Sequence, residues 1–116
     1  MKRGEVWTAT GSGDYAGKPR PVVILQDDRF DSTGSVTVCP LTTNPVDAPL
    51  FRLLIQPSAQ NGLKVASRLM ADKITTVARI RLGLRIGRLT SADMAGLSRS
   101  IIMFLNLLDT LQGEHK

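Results

Sequence analysis

The hydrophobic pattern of this 116-residue chain predicts a mainly β fold, a small, strongly bent sheet or barrel with one long C-terminal helix packed on it. Two features carry that prediction. Up to Leu89 the apolar residues come in short runs, each bounded by glycine, proline or polar turn residues. After Thr90 the period changes, and Met94, Leu97, Ile101, Phe104, Leu108 and Leu111 recur at alternating spacings of three and four.

Gly4 opens a first strand at 5–9, and residues 10–21, rich in glycine and holding Pro19 and Pro21, form a loop. The run 21–26 is continuously apolar and reads as a strand buried on both faces. A polar turn with Gly34 leads to a strand at 35–41, closed by Pro40. Pro45 and Pro49 exclude helix from the loop 42–49, and a strand follows at 50–55. Asn61-Gly62 marks a turn within 58–64. Short strands at 66–70 and 73–77, a helical turn at 79–82 and a last strand at 84–89 complete the β part. Thr90, with Asp93 three residues on, is suited to cap a five-turn amphipathic helix over 91–111. Gly113 ends it, and 114–116 form a frayed tail.

The length suits one domain, 1–116, and is short for two cores. A net charge of +5 and an isoelectric point near 10.0 fit an acidic partner, either nucleic acid or an acidic protein. The single Cys39 excludes an internal disulfide and fits a reducing compartment. The basic start Met1-Lys2-Arg3 is followed by Gly4-Glu5 and no apolar run, so no secretory signal is expected. The strongest apolar run, 101–105, is far below the ~20 residues that span a bilayer, so no membrane partner is expected and a cytoplasmic location is.

Two segments could carry chemistry. Gly17-Lys18-Pro19-Arg20-Pro21-Val22-Val23-Ile24-Leu25 places a guanidinium just before an apolar strand, on backbone stiffened by two prolines. Val36-Thr37-Val38-Cys39-Pro40-Leu41-Thr42-Thr43-Asn44 places hydroxyls just after one. If the two ends meet, they form a site of an arginine and a threonine, suited to phosphodiester chemistry without a metal. The alternatives stay open. Arg20 can instead pair with an acid at its strand end, and Thr42 and Thr43 can cap local backbone.

Residues 63–89 hold Lys64, Arg68, Lys73, Arg79, Arg81, Arg85 and Arg88 against one acid, Asp72, a net +6. That is a footprint for a polyanion, or a solvated face with some arginines paired to Asp27, Asp28 or Asp31. Asp72 could orient Arg20 or Lys73, accept a proton, or sit in a structural ion pair. Ser67 could add a phosphate contact, and Tyr15 in the glycine-rich loop could stack on a base. Cys39 reads as core, and His115 lies in the tail. No metal-ligand spacing is present, so no metal or cofactor is implied.

In order and spacing these segments resemble the MazF/PemK family of toxin endoribonucleases. The likeness is carried by Lys2-Arg3-Gly4-Glu5-Val6-Trp7, the two segments quoted above, and a fourth block. That block runs from Gly62-Leu63 through Ser67, Asp72-Lys73-Ile74, Thr76-Val77 and Arg81-Leu82-Gly83 to Gly87-Arg88-Leu89. The resemblance implies a small SH3-like barrel of the CcdB/MazF type, a homodimer, and a cognate acidic antitoxin whose tail occupies the RNA groove. It implies metal-independent cleavage of single-stranded RNA, with the 2′-hydroxyl attacking the adjacent phosphorus to leave a 2′,3′-cyclic phosphate and a 5′-hydroxyl. On this resemblance Arg20, Thr42 and Asp72 are the catalytic positions. Lys18, Thr43, Ser67, Lys73, Tyr15, Arg85 and Arg88 are expected to contact RNA. Many relatives carry an acid near the position of Tyr15, where Asp14 is the nearest here, and the general base is unassigned. A non-catalytic nucleic-acid module, a protein–protein adaptor or a gyrase poison of the CcdB type are the competing readings. The last needs a tryptophan near the C-terminus, whereas the only tryptophan here is Trp7.

Overall fold

The computed structural model describes residues 1–11 and 18–111. Seven strands pair antiparallel in one sheet: β1 (Glu5–Ala9), β2 (Arg20–Ile24), β3 (Ser35–Thr42), β4 (Arg52–Ile55), β5 (Ser67–Met70), β6 (Thr75–Ala78) and β7 (Leu82–Arg88). The hydrogen-bonded order is β4-β5-β3-β2-β1-β7, and β6 is a further partner of β3. Two helices follow, α1 (Ser91–Phe104) and α2 (Leu107–Leu111).

The apolar run of β2 is buried on both faces, because successive strand residues point to opposite sides. Val23 and Leu25 join a core with Val6, Cys39, Leu41, Ile55, Leu69 and Leu97. Val22 and Ile24 join a second core with Ala9, Val36 and Val38. Helix α1 covers the first core through Leu97, with Met94 and Ile101 packed beside it. Burying a leucine as fully as Leu97 contributes about 2 kcal/mol. The second core is edged by Trp7, Val77 and Leu82.

The mainly β class with a C-terminal helix is as the sequence predicts, but the sheet is not closed into a barrel. Among the described residues no ladder joins β4 to β7. Backbone from the 58–62 turn packs on β7 instead, with the Arg88 N–H donating to the Gln60 carbonyl at 2.9 Å.

Two local expectations are corrected. Residues 71–73 form a 3₁₀ turn, so β6 starts at Thr75 and Asp72 and Lys73 sit on a corner. The predicted single helix over 91–111 is broken. Its start is as expected, with the Asp93 N–H donating to the Thr90 hydroxyl at 3.0 Å. Its end comes early, because Asn106 adopts a left-handed φ of 56°, a conformation asparagine tolerates. The periodic pattern runs on past the surface that could bury it, and Leu108 and Leu111 are exposed. Tyr15, Asp14, Gly113 and His115 lie outside the described residues.

Candidate active site

Strand register brings the two predicted segments together. Val22 pairs with Pro40 and Ile24 with Val38. Arg20 and Thr42 lie two residues beyond that ladder, on the same faces as Val22 and Pro40. Both belong to the lining of one cleft of about 120 Å³. Its floor is the second core, Val22, Val38 and Val77, and its rim includes Thr10, Arg20, Thr42 and Thr75. The alternation of β2 explains this: Arg20, Val22 and Ile24 share a face, so the arginine stands at the open end of a buried row.

Arg20 is exposed at the first position of β2. Thr42 is half-buried at the last position of β3. The Asn44 backbone N–H donates to the Thr42 hydroxyl oxygen at 3.1 Å. This is the local turn weighed above, and it leaves the hydroxyl proton available to donate to an oxygen in the cleft. Thr43 and Lys18 are exposed beside the two strand ends.

Asp72 does not line the cleft. Its carboxylate accepts from Arg52, Nε to Oδ1 at 2.6 Å and Nη2 to Oδ2 at 2.8 Å. Hydrogen bonding from Arg52 holds the Asp72 carboxyl below the usual carboxylate range despite partial burial, and it holds the Arg52 guanidinium above its ordinary value. Of the readings open for Asp72, the structure shows the structural ion pair, which ties β4 to the corner after β5. Arg52 had no motif to announce it. The one available signal was a lone charge inside the apolar run 50–55.

Ser67 is also corrected. It is 3% exposed, and its hydroxyl donates to the Val65 carbonyl at 3.0 Å, so it offers no phosphate contact in this structure. Lys73 is exposed on the corner beside Asp72.

The basic stretch is divided. Arg79 turns to the Asp31 carboxylate and to the Asp31 and Thr33 carbonyls. Arg85 Nε lies 3.1 Å from Glu5, and Arg88 pairs along β1 with Glu5, at the far end of that strand from Ala9 and the cleft. Cys39 is fully buried, and burial pushes its thiol up to about 12, which fits a core role. Among the described residues no group of three His, Cys, Asp or Glu side chains could hold a metal ion.

A guanidinium and a hydroxyl over an apolar floor, on a basic open sheet, have the chemistry that suits phosphate oxygens. The chain belongs to the family of PemK-like, MazF-like toxins of type II toxin–antitoxin systems, whose model matches residues 2–105. It is 52% identical to a probable endoribonuclease MazF of Mycolicibacterium smegmatis, covering 92% of this chain and 98% of that protein. It is 32% identical to the endoribonuclease MazF9 of Mycobacterium tuberculosis, over 92% and 98% of the two chains. Among solved structures, a mycobacterial endoribonuclease in complex with its cognate antitoxin is similar at a TM-score of 0.74 and 26% identity, covering 92% and 96%. The Mycobacterium tuberculosis toxin MazF-mt6 is similar at 0.75 and 26%, covering 88% and 96%.

Proposed function

We propose that this chain is the toxin of a type II toxin–antitoxin pair and cleaves single-stranded RNA, messenger RNA included, at short sequences without a metal ion. The observation that supports this most directly is that Arg20 and Thr42 line one cleft, on a chain of this family. In the reaction the ribose 2′-oxygen attacks the adjacent phosphorus and loses its proton. The bond from phosphorus to the 5′-oxygen breaks, and that oxygen leaves with a proton. The products are a 2′,3′-cyclic phosphate and a 5′-hydroxyl. Arg20 is assigned to the charge that builds on the non-bridging oxygens, because a guanidinium fork matches phosphate oxygens. Thr42 is assigned to a hydrogen bond that orients the scissile phosphate. Asp72 is assigned, through Arg52, to positioning the strand that borders Thr42. Lys18, Thr43 and Lys73 are candidates for contacts near the cut, and Arg85 and Arg88 for outlying phosphates.

The proposed partner is a cognate antitoxin with an acidic tail that competes with RNA for the cleft, consistent with the +5 charge. A homodimer is proposed through apolar side chains that the single chain leaves open, among them Ile80 at 92% exposure and Leu84 at 71%.

The test is incubation of the purified protein with long single-stranded RNA in excess EDTA, mapping the 5′ ends of the fragments. Discrete cuts that are lost in Arg20→Ala are expected, with ~10²-fold or greater loss for a removed charge-stabilising donor. RNA that is bound but left intact would replace this proposal with the non-catalytic binding module.

A further inference from the structure

We propose that Arg68 is a second phosphate clamp, which holds a phosphate flanking the scissile one in a single RNA strand. The proposal rests on the reading of the Arg20–Thr42 cleft as an RNA cleavage site.

Register places Arg68 at that cleft's border. Thr42 pairs directly with Arg68, and directly paired antiparallel residues point to the same face. Thr42 lines the cleft, and so does Met70, two residues beyond Arg68 on the same face of β5. The alternate residues Ser67 and Leu69 point the other way, and both are buried. Arg20, Thr42 and Arg68 thus form a row across three neighbouring strands. At ~4.8 Å per strand, β2 and β5 run about 10 Å apart on either side of β3, which carries the threonine. Each side chain can bridge several ångströms, so two forks can hold neighbouring phosphates while the hydroxyl meets the scissile one.

The state of Arg68 fits that role. Arg52, Arg79 and Arg85 are all engaged with carboxylates. Among the described residues the Arg68 guanidinium makes no hydrogen bond or ion pair. It is half-buried and lines a groove of about 310 Å³ together with Arg52, Leu54 and Asp47. Asp72 pairs with Arg52 there, and the exposed Asp47 forms no ion pair with Arg68, whose guanidinium stays open to a ligand. A guanidinium held on a strand and left unpaired beside a cleft is suited to an extended polyanion rather than to packing.

The test measures binding in excess EDTA by fluorescence anisotropy over a range of salt. The probe is an RNA oligonucleotide spanning a mapped cut, made uncleavable by 2′-deoxyribose at that cut. Arg68→Gln is expected to weaken binding about tenfold and to lower the slope of log K against log salt by about 0.7, the value for one phosphate on a single strand. Arg68→Lys should keep the slope. A neutral methylphosphonate placed at one flanking linkage should weaken the wild-type protein by a similar factor, and Arg68→Gln should then add little. Where Arg68→Gln fails to fold, as judged by urea unfolding, the same coupling is read with Arg68→Lys, which loses the fork and keeps the charge. An unchanged slope in folded Arg68→Gln, or losses that simply add at both flanking linkages, would overturn the clamp. Should long RNA remain uncut, the proposed cleavage falls and takes the flanking position with it, while an unchanged salt slope of Arg68→Gln on that same RNA would overturn the phosphate contact itself.

Discussion

Breaking the Arg52–Asp72 pair separates a structural role for Asp72 from a chemical one. The two contacts are 2.6 and 2.8 Å, and the partners are 9% and 17% exposed. A hydrogen bond to a charged group nets ~1.5–3 kcal/mol, and Asp72→Asn keeps one acceptor while turning an amide N–H₂ toward a guanidinium donor. One bond is lost and a largely buried cation loses its counter-charge, so a loss of about 3 kcal/mol is expected, at the low end of the ~3–5 kcal/mol of fully buried pairs. For a chain of this size that lowers the melting temperature by about 10 °C. The pH dependence has a definite sign. The folded Asp72 carboxyl lies below its ordinary value, so its contribution is present above the unfolded pKa near ~4 and lost as pH falls through the folded value. The acid limb of the wild-type stability curve should therefore be steeper than that of Asp72→Asn. The assay is urea unfolding at fixed protein concentration from pH 7 to 3, with Arg52→Met, Asp72→Leu and the double variant forming a cycle. The pair should show coupling of ~1–3 kcal/mol, the double variant recovering part of the loss. Additive losses would refute the ion-pair account. So would an Asp72→Asn protein of unchanged stability whose cleavage rate had collapsed, because that result would return Asp72 to the chemistry.

Two further outcomes follow from the packing of the sheet. Cys39 is fully buried with its thiol pushed up to about 12, so at pH 8 only about one in ten thousand thiols would be ionised. A thiol reagent should leave the native protein unlabelled and label it fully in denaturant, and rapid native labelling would contradict the packing of β3. Gly62 has a φ of +71°, and a Cβ there would fall 1.9 Å from the Ile86 carbonyl oxygen. Gly62→Ala should cost more than the ~1–2 kcal/mol of a left-handed alanine, whereas Gly34→Ala, with open space around it, should cost little. Equal denaturation midpoints for the two variants would show that the 58–62 turn does not press on β7.

The local elements were legible because each rests on local chemistry. The apolar run at 21–26 had to be buried on both faces, and Thr90 followed by Asp93 had to start a helix. Arg20 and Thr42 were legible as candidates because one opens and the other closes an apolar strand. The sequence alone could not say that they meet, since that depends on pairing between strands twenty residues apart, which tertiary register decides. The same dependence hid Arg52, whose partner lies on another strand's corner, and Arg68, whose direction is set only by pairing with Thr42. It also misled the reading of Ser67, a polar residue that burial turned inward, and of the helix, whose apolar period outlasts the sheet available to cover it. The chain by itself determined which strands and helix starts exist and which side chains are able to bind phosphate. Only the fold decided which of them face one cleft, because hydrogen-bond register between distant strands, not local propensity, fixes where a side chain points.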